Sequence, residues 1–288
     1  MPNNDDLRRV YSTRGPLLDA INSASPWHLL YREQTMRYLQ AALPINGRIL
    51  DAGGGTGIFA TWLVELGHEV TVIDIVPEML EILEEKRRAL GNAGQRLTIL
   101  PGDIESLGSL ELGTFDAAIC TQVLNFCRHP AAVFSGVAKV LARGGQFICD
   151  IDGAYRWSLI ELLAGHVENA RDILCEGADT AKNIVGTDYW FLEHRSVAQQ
   201  LEAAGFHVLD MRGLLHFAPY IHVLAPSEEF LRGGALSSEG SMFVQPATLA
   251  LLREIEQRAA EIMPIESAGW IQLVATLDGL ASTQELEA

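Results

Sequence analysis
The sequence is short of several things, and each shortage removes a class of function. Its 288 residues include only four cysteines, Cys120, Cys127, Cys149 and Cys175, and no Cys-x-x-Cys pair. Two of them sit inside the apolar runs "FDAAICTQ" and "QFICDI". That placement points to buried, reduced thiols in a cytoplasmic chain and to no metal site. Basic residues are few: 21 Lys and Arg stand against 37 Asp and Glu, a formal net charge of −16. Nucleic-acid backbones are held by clustered Lys and Arg, and no such run occurs, so nucleic acid is not an expected partner. No apolar stretch reaches the roughly 20 residues of a membrane span, and "MPNNDDLRRV" has no apolar segment behind its charges, so neither a membrane nor a secretory leader is expected. A small-molecule partner remains, with a homodimer left open.

What is present is ordinary for a chain with a sizeable core: 48% hydrophobic and 20% charged residues, without repeats or low-complexity tracts. From Ile49 to Asp152 short β-type runs alternate with helical stretches. The runs "RILDAG", "EVTVIDI", "RLTILPGD", "FDAAICTQ" and "GQFICDID" are almost continuously apolar, as strands covered on both faces are. Between them, "IFATWLVELG", "PEMLEILEEKRRALG" and "PAAVFSGVAKVLARGG" each close on a glycine that suits a helix C-terminus. Pro77 and Pro130 fit the first turns of two of them. Gly102 to Gly113 is too short for a full helix. The rhythm predicts an α/β fold built on a doubly wound, mostly parallel sheet.

Residues 154–192 break the rhythm and predict one or two helices without a strand, a cap inserted at the sheet's binding edge. The rhythm resumes at "RSVAQQLEAAGFHVLDMRGLLHF", where Ser196 and Gln199 form a capping-box pattern. The expected organisation is a helical arm or lid over 1–44, a cofactor-binding core over 45–153, the cap over 154–192, and completion of the core over 193–280 with a variable loop at about 218–245.

The most pointed motif is "ILDAGGGTGIFA" at Ile49–Ala60. A phosphate-binding Walker loop needs Lys and Ser or Thr after its last glycine, but Ile58 and Phe59 follow. A dinucleotide fingerprint lacks its third glycine in every register. What fits is D-x-G-x-G-x-G on Asp51, Gly53, Gly55 and Gly57. A glycine-rich turn without a ligand is the bland alternative, disfavoured because such glycines cost stability unless backbone must approach something closely.

From about Arg48 to Ile151 the chain resembles the class I, Rossmann-like S-adenosylmethionine-dependent methyltransferases of small molecules. The resemblance rests on "ILDAGGGTG", on Asp74 closing the second strand in "VTVIDIVPEML", on "PGDIESL" after the third strand, and on "FDAAICTQVLNF" and "LARGGQFICDI". "GFHVLDMRGL" and "WIQLVATL" resemble the family's closing antiparallel strands. It implies a seven-stranded sheet and adenosylmethionine as cofactor. The implied contacts are Asp51 and the loop glycines with the methionine part, Asp74 with Ile75 at the ribose hydroxyls, Asp103 with Ile104 at the adenine, and Thr121 at the end of the fourth strand. Asp103 has a plainer reading as the cap of a turn.

Methyl transfer requires chiefly that a nucleophile be held in line, with a base only where it must lose a proton. His28, Tyr31 and Thr35 share one face of the helix expected over "PWHLLYREQTMRYL", so His28 and Tyr31 are the catalytic candidates, against simple packing of that helix on the core. The substrate-binding candidates are Asn125 beyond the fourth strand, which could instead cap the following turn, and Tyr155 and Trp190, within an aromatic set that includes His216, Phe217, Tyr220 and His222. Two other functions stay open. One is an adenosylmethionine-binding protein that acts as a scaffold or catalyses another reaction. The other, less favoured, is an NAD-dependent oxidoreductase.

Overall fold
The computed structural model describes residues 2–24, 26–175, 181–183, 187–217 and 246–278. The variable stretch 218–245, with Tyr220 and His222, lies outside the described residues. Five strands, β1 (Arg48–Ala52), β2 (Glu69–Asp74), β3 (Leu97–Pro101), β4 (Phe115–Cys120) and β5 (Leu141–Asp152), run parallel in the order β3-β2-β1-β4-β5. The sheet is completed by β8 (Phe206–Leu214) and β9 (Trp270–Leu277), with β9 antiparallel between β5 and β8. This is the mostly parallel, doubly wound sheet expected from the rhythm of the sequence, with the seven strands that the resemblance implies. Strand order reverses between β1 and β4, where open sheets of this kind bind ligands.

Helices α3 (Ile58–Glu65), α4 (Pro77–Ala89) and α5 (Pro130–Val140) make the crossovers, and a 3-10 turn at Ile104–Ser109 replaces the fourth. Alternation along the strands supplies two cores. Ile49, Ala117, Ile119 and Ile148 face a layer with Leu63 and Leu83, whereas Leu50, Ala118 and Phe147 face a layer with Phe134 and Leu201. Both faces are therefore dry, which is why the strands read as unbroken apolar runs. Cys120, Cys127 and Cys149 are buried free thiols, and Cys175 is exposed. No described helix is long and apolar enough to cross a membrane.

Two helices form the arm, α1 (Pro2–Ala24) and α2 (Pro26–Ala42). Trp27, Leu30, Tyr31 and Leu39 of α2 join the sheet core, so the expected packing face is real. The insertion contains α6 (Ala154–Leu163) and α7 (Val167–Cys175), but not helices alone. β6 (Ala181–Asn183) and β7 (Asp188–Trp190) form a separate antiparallel pair, a correction to the all-helical cap. Three-residue strands are too short to show a period, and Tyr189 and Phe191 are held instead by a small cluster with Ile173. A second correction concerns α8 (His194–Ala203), which starts before the expected capping box. Its N-cap is Glu193, whose carboxylate accepts the Ser196 N–H at 2.8 Å. The last helix, α9 (Pro246–Ile262), leads into β9.

Candidate functional site
A cavity of about 210 Å³ opens at the switch point, beyond the carboxyl ends of β1, β2 and β4. Its floor is the turn from β1 into α3. Gly53 adopts φ +82, donates its N–H to the Ile73 carbonyl at 2.7 Å, and would place a Cβ 2.6 Å from Cγ2 of Val123. Only glycine meets both demands. Gly55, at φ +52, donates its N–H to Oδ2 of Asp74 at 2.8 Å. Oδ1 of the same carboxylate accepts the Val76 N–H at 2.9 Å. Asp74 therefore ties the loop to the start of α4 while lining the cavity. Burial raises its pKa, against the lowering effect of these N–H donors.

Asp51, the penultimate residue of β1, also lines the cavity. It is 1% exposed, and neither carboxylate oxygen has a hydrogen-bond partner among the described residues. Burial first, and then the nearby charge of Asp74, push its pKa up to about 7. A buried, unpartnered carboxylate is costly unless a ligand completes it. No Lys, Arg or His belongs to the described lining, so the electrostatics favour a cation and disfavour phosphate. An ammonium or sulfonium group fits that donor set, and the bare glycine backbone fits a ligand lying close against it. These are the demands of adenosylmethionine.

The opposite wall comes from Thr121, Gln122, Val123 and Phe126, just past β4. Gln122 has a left-handed backbone, φ +57, braced by its N–H bond of 2.7 Å to Oδ1 of Asp150. The roof is α1, through Leu7, Tyr11, Leu18 and Asn22, which recur at helical spacing on one face. Tyr11 meets the Phe126 ring edge-on at 5.5 Å, and Phe126 meets Tyr189 of the cap in the same way at 5.0 Å. Burial holds the Tyr11 hydroxyl well above its ordinary pKa, so it keeps its proton.

Of the residues expected from sequence, Asp51, Gly53, Gly55, Asp74, Ile75 and Thr121 come together around this cavity. Gly57 stands just behind it as the left-handed N-cap of α3. Asp103 caps the 3-10 turn through the Glu105 N–H at 2.9 Å and accepts Nδ2 of Asn4 at 2.8 Å; neither it nor Ile104 borders the cavity. His28 and Tyr31 lie on α2, buried, and are not part of the lining. The Tyr31 hydroxyl donates instead to Asp150. Asn125 joins cap to sheet: it donates to the Trp190 carbonyl at 2.7 Å and accepts the Asp152 N–H at 2.8 Å. Tyr155 is 47% exposed, and neither it nor Trp190 reaches the cavity. Sequence reasoning missed Tyr11 and Asn22. The spacing of Leu7, Tyr11 and Leu18 was a visible signal, but Gly15 and Pro16 interrupt it.

Comparison with known proteins agrees with the geometry. Residues 50–149 match a family described as a methyltransferase domain. The chain is 28% identical to the ubiquinone/menaquinone biosynthesis C-methyltransferase of Zymomonas mobilis, over 76% of this chain and 89% of that one. Among solved structures, the [4+2]-cyclase SpnF superposes with a TM-score of 0.64 at 18% identity, covering 96% of this chain and 98% of that one. The glycopeptide N-methyltransferase MtfA, complexed with S-adenosylmethionine, does so at 0.51 and 12% identity, covering 86% and 87%. At such identities the structural likenesses speak for the fold.

Proposed function
The chain belongs to the class I S-adenosylmethionine-dependent methyltransferases, and on that premise we propose that it methylates a small acceptor with an apolar, aromatic body of the phenol or quinol kind. The observation that carries the reading is the cavity itself. Two carboxylates stand on its glycine floor, while Leu7, Tyr11, Phe59, Met79, Val123 and Phe126 make the rest of it largely apolar. The quinone pathway in the relative's name points the same way.

Adenosylmethionine, when bound, supplies a methyl group on an activated sulfonium carbon. The chain's own residues then do three things. Asp51 provides the buried negative charge that a cationic ligand completes, and Asp74 offers oxygens already oriented by Gly55 and Val76 to a pair of ribose hydroxyls. Asp103, which lies outside the cavity lining, is the residue that the family resemblance assigns to the adenine amino group. Helix α1, from Tyr11 to its clasp at Asp19, covers the site and presents Tyr11, whose retained proton suits it to orient an acceptor oxygen by donation rather than to remove a proton. The only ionisable side chains of the described lining are Asp51, Asp74 and Tyr11. Catalysis on this reading rests on positioning: the phenol or quinol acceptor enters as its oxyanion, its proton left in solvent, so that no lining side chain has to act as a base.

The test begins with calorimetric titration of adenosylhomocysteine beside NAD, on the native chain and on Asp74→Ala. Micromolar binding of adenosylhomocysteine alone, lost in the variant, is expected. Transfer from a labelled methyl donor to a panel of phenols and hydroquinones follows. Tight cofactor binding with no labelled product from any of them would remove the acceptor assignment and favour a non-methylating role.

A further inference from the structure
Asp103 and Ile104 do not line the cavity, and the first turn of α1 lies against Asp103. Asn4 donates Nδ2 to Oδ2 of Asp103 at 2.8 Å, and Arg8 donates Nε to the Ile75 carbonyl at 3.2 Å. Ile75 follows Asp74 directly, so these two bonds bracket the ground between the ribose-side carboxylate and Asp103. The donor on Asp103 is a planar NH₂ group, the same chemical group that adenine carries on its six-membered ring. Asp103's other oxygen already accepts the Glu105 N–H. The far end of α1 is fastened differently. Asp19 accepts Oγ1 of Thr56 at 2.7 Å and pairs with Nζ of Lys86 at 2.7 Å, which locks that end to the glycine loop and α4.

We infer that Asn4 occupies, in the free chain, the carboxylate position that the adenine amino group takes in the complex, so that cofactor binding displaces the first turns of α1 while the Asp19 end holds. The inference rests on the assignment of Asp103 to adenine made above. It makes α1 a competitor built into the cofactor site as well as its roof. The chain pays for each binding event by releasing the Asn4 and Arg8 bonds, and the measured affinity is lowered by the fraction of chains still latched. The two ends of one helix thereby divide the labour: a permanent clasp at Asp19, and an exchangeable one at Asn4.

Calorimetric titration with adenosylhomocysteine tests this on the full chain. Asn4→Ala is expected to bind it about two- to tenfold more tightly, the range of one net hydrogen bond. The gain should disappear in the Asn4→Ala, Asp103→Ala double variant, because nothing is then left to compete for. Amide hydrogen exchange around Leu7–Val10 should rise on saturation of the native chain. Unchanged or weaker binding by Asn4→Ala, or increased protection of those amides, overturns the competition. Asp103→Ala binding as tightly as the native chain removes the adenine assignment itself. A weakened Asp103→Ala beside an unimproved Asn4→Ala keeps the assignment and rejects only the competition.

Discussion
The Tyr31 hydroxyl donates to Oδ2 of Asp150 across the packing of α2 on β5, while Oδ1 of that carboxylate accepts the Gln122 N–H at 2.7 Å. One buried carboxylate thus joins the arm to the only cavity-lining residue other than glycine that is left-handed among the described residues. Tyr31→Phe deletes one donor from a site with no solvent to replace it. A loss of about 1–3 kcal/mol in stability is expected, read as a lower urea midpoint at unchanged slope.

Asp51 and Asp150 also set the pH dependence. Burial raises both to about 7, above the ordinary 3.8. The folded chain then keeps protons that the unfolded chain releases, so their contribution is full below the unfolded value and is lost as pH rises through about 7. The ligand-free chain should be more stable near about pH 5 than near about pH 8. Asp51→Asn should flatten part of that slope, and a midpoint that instead climbs steadily over the interval contradicts it.

Binding reverses the situation at Asp51. A cationic ligand favours the ionised carboxylate, so uptake of adenosylmethionine near pH 7 should release protons. Calorimetry in buffers of different ionisation heat measures the number directly. Asp51→Asn should abolish both the release and most of the affinity.

Gly53→Ala places a methyl group against Val123 at a left-handed position. The strain is worth about 1–3 kcal/mol. Because the loop is also the cavity floor, adenosylhomocysteine affinity should fall more than stability does; equal losses would make the glycine merely structural.

The cap is anchored by Arg156, 5% exposed, which pairs with Asp152 at 2.8 Å and lies over the Trp27, Trp157 and Trp270 rings at 5.6, 4.9 and 4.5 Å. Trp157 and Tyr189 donate to the same Asp152 oxygen. Arg156→Ala leaves that carboxylate without its cation in a dry site, an expected cost of about 3–5 kcal/mol. Arg156→Lys should recover little, since an ammonium cannot reproduce a planar group stacked among three rings. Thermal melts followed by tryptophan fluorescence distinguish the three chains.

The sequence by itself determined the sheet, the three crossover helices and the cavity floor, because these depend on short-range signals. Apolar runs report strands dry on both faces, glycines report left-handed turns, and the D-x-G-x-G-x-G loop brings its own carboxylate to the strand end. Tertiary structure decided what faces the cavity from elsewhere in the chain. His28 and Tyr31 had the right residue types and the right spacing, yet periodicity reports that a helix has a buried face and not what lies opposite. That face of α2 meets the sheet core, and α1 roofs the site. Asp150 likewise reads as one more acid at a strand end until Tyr31, 119 positions away in sequence, is seen to bond it. Asn4 and Asp103 are 99 positions apart, and no local pattern encodes their meeting. Long-range pairing of polar groups depends on the assembled fold, because only there are both partners withdrawn from water and made to find each other.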